Sequence, residues 1–247
     1  MQTIIHIGQH KTGTTSIQKF LQDNRGTLAE SGVYVPQGLA GYNDPSHFIL
    51  NVYALAEDRY STKKRTLVES KGKHYLKTLA IELKQDLEKI YQDAVRKKCT
   101  QVIWSNEGLY LLNTIAEYKR LYDLFSTHSS EVEVVCCFRD VTSYRESYLK
   151  ELTKKNAPLP LDTEACHYLE PDSWLFDYPR KKELLSEVFD TCTYFSYDQH
   201  DNIKKFMQAI HVNTGSTSDY KLNVTVKTRN KLLQRLKKIF AGSTSQA

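Results

Sequence analysis

The nine residues GQHKTGTTS at 8–16 constrain this chain more than any other segment. They follow a β-branched run at 3–7 and precede an amphipathic stretch with Ile17, Phe20 and Leu21 at helical spacing, which stops at Asn24-Arg25-Gly26. A strand that passes through a short loop of small residues into a helix grips phosphate well, because free backbone N–H groups and the helix dipole both face the anion. Lys11 adds a mobile cation, Gly13 lets the backbone approach closely, and Thr14, Thr15 and Ser16 add hydroxyl donors. The ATP/GTP pattern GxxxxGK[ST] places its Lys after the last Gly, whereas Lys11 precedes Gly13, so that pattern fails. The dinucleotide pattern GxGxxG fails as well, since only Gly8 and Gly13 lie in the loop. An ordinary strand-to-helix turn with capping threonines is the bland alternative.

The rest of the chain continues the alternation. Strands are expected at 32–35, 101–105, 132–138 and 193–196, the third of them buried on both faces. Helices are expected at 73–98, around 115–125, at 142–154, at 180–189, at 202–210 and at 227–240. Residues 37–70 read as irregular and polar. The order predicts one α/β domain over 1–247, three-layer α/β/α with a central mainly parallel sheet and a P-loop-like phosphate-binding loop, and with 237–247 as a frayed tail.

Charge and composition exclude several classes. The 34 Lys and Arg against 29 Asp and Glu give +5, but seven of those cations lie in 221–247, which has no acid; the remainder carries 27 basic against 29 acidic residues. A general nucleic-acid coat is therefore not expected. No apolar run reaches membrane-spanning length, and the N-terminus lacks the pattern of a secretory signal. Five cysteines without framework spacing point to a reducing cytoplasm, with the adjacent Cys136 and Cys137 as small buried hydrophobes. No CxxC or HExxH spacing suggests a metal.

The segment HIGQHKTGTTSIQKFL resembles the 5′-phosphosulfate loop of sulfotransferases that use 3′-phosphoadenosine-5′-phosphosulfate (PAPS), particularly the bacterial carbohydrate-type members. Cys136-Cys137-Phe138-Arg139 followed by DVTSYRESYLKEL is similar to that family's 3′-phosphate motif, with an Arg at a strand end and Ser147 eight residues on. Val141 stands where the family usually has Pro.

The resemblance implies sulfuryl transfer from PAPS to a hydroxyl of a carbohydrate or glycolipid, with PAP as product and no metal. Lys11 would neutralise charge on the leaving oxygen. His10, the amides of 12–16 and the hydroxyls of Thr14, Thr15 and Ser16 would hold the 5′ end; Arg139, Ser147 and the later Lys227 would hold the 3′-phosphate. An acceptor hydroxyl needs a base. Glu107, at the end of the strand 101–105, is the first choice, and His47 in the loop DPSHF is the rival. His10 is a candidate contact to substrate or sulfate, and His6 reads as a satisfied core residue. Tyr110, Tyr148 and Tyr178 are candidate cleft residues, and Lys63-Lys64-Arg65 reads as a solvated run. A nucleotide kinase or NTPase, or a non-catalytic nucleotide- or polyanion-binding module, remains open as an alternative.

Overall fold

A computed structural model of the chain describes residues 1–154 and 159–212. Five strands form one sheet: β1 Gln2–Gly8, β2 Val33–Tyr34, β3 Gln101–Ser105, β4 Glu131–Phe138 and β5 Thr191–Ser196. Their order is β2-β3-β1-β4-β5, and every pairing is parallel. The helices are α1 Thr14–Asp23, α2 Arg25–Glu30, α3 Ile49–Ala54, α4 Thr62–Lys71, α5 Tyr75–Arg96, α6 Ile115–Ser126, α7 Val141–Lys154, α8 Tyr178–Val188 and α9 Asn202–Ala209. The expected helix at 227–240 and Lys227 lie outside the described residues.

Side chains alternate across a strand, so β1 feeds two separate cores. Ile4 joins Ile103 and Val135 under α1, α2 and α9, where Ile17, Phe20, Leu28 and Phe206 pack. Ile5 and Ile7 join Val102, Trp104 and Cys136 on the other face, covered by α3 to α6 and α8. All three isoleucines are fully buried, and each such burial contributes roughly 1.5–3 kcal/mol. The sheet with helices on both faces is the three-layer architecture expected. Cys136 and Cys137 are both buried within it.

Several local expectations are corrected. Residues 37–70 contain α3 and α4, and Leu39, Ile49, Leu50 and Val52 are buried there. Those helices have six and ten residues, too short to repeat an apolar period clearly. α1 stops at Asn24 as expected, with Asn24 as its C-cap, but a second short helix, α2, opens at once at Arg25. Within β4, Glu133 is a buried acid; it accepts bonds from Gln2 (3.0 Å) and Thr193 (2.7 Å), and burial raises its pKa.

The central strand β1 matters most for position. The chain winds to one side of it for β2 and β3, and to the other for β4 and β5. A parallel sheet that reverses direction in this way leaves a crevice at the strand C-termini. The 8–16 loop lies there, with the end of β3 on one side and the end of β4 on the other.

Candidate active site

Close packing shapes the loop. A Cβ on Gly8 would meet the Thr14 methyl at 2.4 Å, so only glycine lets α1 begin this close to β1. Gly13 takes φ 72° as the N-cap of α1, and Lys11 takes the left-handed φ 68°. Such a conformation in a non-glycine residue costs about 1–2 kcal/mol and is held by its surroundings. Arg139 Nη1 donates to the Lys11 carbonyl at 2.7 Å, and Asn202 Nδ2 donates to the Thr12 carbonyl at 2.7 Å.

Gln9 joins the loop to its neighbours. Its Oε1 accepts from the Arg139 amide (2.6 Å), its Nε2 donates to the Tyr110 hydroxyl (3.0 Å), and its own amide bonds to Cys137 O (3.3 Å). On the other side of Arg139, the Tyr178 hydroxyl donates to its carbonyl at 2.6 Å. The guanidinium also donates from Nε to Ser143 Oγ (3.0 Å) and lies 5.0 Å from the Tyr197 ring centroid. The guanidinium is thus tied on α7 to Ser143, and Ser147 lies one turn further along the helix.

Not every loop amide faces outward. The Thr12 amide and hydroxyl both bond to Gln9 O, and the Ser16 amide bonds to Gly13 O. The expectation that all amides from 12 to 16 hold an anion is narrowed to those between, with Thr14 and Thr15 opening α1 ahead of any intrahelical acceptor. Thr14 is buried, Thr15 exposed.

A cleft of about 580 Å³ adjoins the loop, bordered by His10, Glu107, Tyr148, Glu151, His167 and the exposed face of α4. Glu107 opens a 3-10 turn, Glu107–Leu111, capped by the Asn106 side chain on the Leu109 amide. Gln18 of α1 donates to Glu107 Oε2 at 2.8 Å. The turn is anchored below by the buried Lys181 of α8, which donates to the carbonyls of Tyr110 (3.2 Å) and Leu112 (2.5 Å). Burial pulls the Lys181 pKa down to about 7. Lys11 Nζ lies 3.0 Å from Glu151 of α7. His10 stacks on Tyr148 with ring centroids 4.7 Å apart, and the Tyr148 hydroxyl and His167 Nδ1 are 2.8 Å apart.

Three readings of individual side chains change. Tyr110 is fully buried and donates to Leu175 O at 3.0 Å, and Tyr178 is occupied with the Arg139 backbone; of the three candidate tyrosines, Tyr148 borders the cleft. His47, the rival base, is buried. Its Nδ1 accepts from the Ser105 amide and its Nε2 donates to Pro36 O, both at 3.3 Å, so both ring nitrogens are engaged with backbone. His6 is in the core, but only Nδ1 is bonded, to Ser105 Oγ at 2.8 Å, while Nε2 is buried without a partner.

The two buried histidines impose a pH dependence. Burial lowers His6 to about 3 and His47 to about 4, against 6.5 in an open chain. Protons bind the unfolded chain more readily, so stability is complete above about pH 6.5 and declines as pH falls toward the folded values. Each histidine should remove about 2 kcal/mol by pH 5. Urea midpoints at pH 7.5 and pH 5 check this, with His6→Gln expected to flatten the difference. An equally steep decline in that variant contradicts the assignment.

Neither a family model nor a curated protein matches this sequence. Solved structures give loose likenesses. A sulfotransferase from Alicyclobacillus acidocaldarius aligns at 15% identity over 96% of this chain and 92% of that one, with a TM-score of 0.48. The sulfotransferase domain from the curacin biosynthetic pathway aligns at 10% identity over 90% and 82%, with 0.46. A structure of the PezAT toxin–antitoxin system of Streptococcus pneumoniae aligns at 15% identity over 99% and 87%, with 0.37. TM-scores this low carry no argument about chemistry, which rests on the site itself.

Residues of the site that the sequence does not single out include Gln9, Gln18, Ser143, Glu151, Tyr197 and Asn202. Gln9 and Gln18 lie inside the first quoted segment and Ser143 and Glu151 inside the second, whereas Tyr197 and Asn202 carry no local signal.

Proposed function

We propose that this protein is a sulfotransferase that moves a sulfuryl group from PAPS to a hydroxyl of a carbohydrate or glycolipid. The observation that carries the reading is one juxtaposition. A strand–loop–helix cradle holding Lys11 is bonded to Arg139 on the β4 side and, through Gln18, to Glu107 on the β3 side. The residues fit a cosubstrate with anionic groups at both ends of an adenosine. Gly8 and Gly13 keep the cradle open, and Lys11, the first-turn amides and the hydroxyls of Thr14, Thr15 and Ser16 suit one end. Arg139, with Ser147 and Lys227, suits the other, through a forked contact that Lys would not supply. His10 would contact the transferred group or the acceptor.

Bound there, PAPS would supply the sulfuryl group and leave as PAP. Lys11 exchanges its Glu151 partner for the charge that grows on the leaving oxygen, an interaction strongest in the transition state. Glu107 takes the acceptor proton at Oε1, since Oε2 is held by Gln18. His47 is not proposed as base, because its lone pair accepts the Ser105 amide. A cytoplasmic setting belongs to the same reading, supported by five free thiols. Among the described residues, no helix is long and apolar enough to cross a membrane.

A thermal-shift panel tests the reading. PAP at a hundredfold excess over Kd should raise the melting temperature by about 5–10 °C without Mg²⁺. Stabilisation by ATP that requires Mg²⁺, with none from PAP, would replace this function with a kinase or NTPase.

A further inference from the structure

The basic run Lys63-Lys64-Arg65 divides on α4. Lys64 is buried and its ammonium donates to the carbonyls of Leu55 and Ala56, which corrects its reading as a solvated residue. Successive helical residues turn by about 100°, so Lys64 lies nearly opposite Thr62 and Thr66. Lys63 and Arg65 flank those two threonines, one on each side, and all four border the cleft. The Lys63 ammonium sits 4.8 Å from the Phe48 ring centroid, and Phe48 is itself a cleft residue. Lys63 and Arg65 have no ion-pair partner among the described residues, whereas Lys11 has Glu151.

Both carboxylates that border the cleft are already engaged. Glu107 is bonded to Gln18 of α1, and Glu151 is paired with the loop lysine. Acids stand beside the phosphate loop, and two uncompensated cations with two hydroxyls stand on the α4 wall. A guanidinium, an ammonium and hydroxyls on one wall form a donor set suited to a carboxylate or sulfate. A neutral acceptor would leave both exposed cations to solvent, whereas an anionic one would pair with them.

We propose that the acceptor is a saccharide that already bears an anionic group, a carboxylate or a sulfate, which Lys63 and Arg65 bind while the hydroxyl to be modified lies at the Glu107 end. This rests on the sulfotransferase reading for the hydroxyl, but the anion contact can be measured without it. Calorimetry would compare cellobiose, cellobiouronic acid and cellobiose monosulfate, on the wild type and on a Lys63→Gln/Arg65→Gln double variant. The wild type should bind one or both anionic sugars on the order of tenfold more tightly than cellobiose, less so at high salt. The sugar that gains identifies the group, and the double variant should bind all three at the cellobiose level.

Equal affinities in the wild type, no binding by either anionic sugar, or an anion preference that survives the double substitution would overturn the proposal. Anion preference without any PAP stabilisation would instead overturn the sulfotransferase reading and leave the anion-binding cleft standing. PAP stabilisation with equal sugar affinities would do the reverse.

Discussion

Glu107→Gln should lower kcat by about 10²–10⁴-fold while PAP binds as before. The substitution is nearly isosteric, and an amide oxygen at this position still accepts the Gln18 bond that Glu107 Oε2 now receives. The 3-10 turn also keeps its Asn106 cap and its Lys181 anchor, neither of which involves the Glu107 side chain. What disappears is a proton acceptor beside the cleft. Initial rates with labelled PAPS, paired with PAP titrations, separate the two quantities. Wild-type turnover in the variant would remove Glu107 from the chemistry. His10 and Glu151 would then be the groups to test, since both border the same cleft.

The second large effect is at Lys11. Lys11→Ala should reduce kcat on the order of 10²–10³-fold, with a smaller loss in PAP affinity. The loop should survive, because its shape depends on backbone contacts from Arg139 and Asn202 and on the absent side chain of Gly8. The left-handed backbone at position 11 strains Ala and Lys alike, so melting temperatures should agree closely. Losing the Glu151 pair adds little, since both side chains are partly exposed, at 40% and 27%. An effect on KM alone, with kcat intact, would mean that Lys11 binds the cosubstrate without favouring the transition state.

The parts of this molecule that could be read from sequence are local ones. β1, the loop after it and β4 with its terminal Arg139 each announce themselves within about ten residues, through β-branched runs, glycine and helical spacing. The sheet's parallel character follows from their alternation with helices. What escaped depends on which strands become neighbours. Gln9 reaches Arg139 across 130 positions, and Asn202 reaches Thr12 across 190. No periodicity within a segment encodes such bonds. His47 misled for a related reason. DPSHF has the composition of a solvated turn, yet the chain tucks the imidazole against Trp104 and the end of β3. Lys64 misled in the same way, because a charge run says nothing about which member turns inward.

The two ends of the Gln9 amide have a consequence for selectivity. One end holds the Arg139 backbone and the other the Tyr110 hydroxyl, so the loop and the tip of β4 form one unit before any ligand arrives. The separation between the cradle and the arginine is then a property of the apoprotein, set by a side chain of constant length. Such a unit works as a caliper. On the proposed function, a nucleotide whose two anionic groups match its span would bind without rearranging the protein, while one with a single phosphate cluster would engage only one jaw.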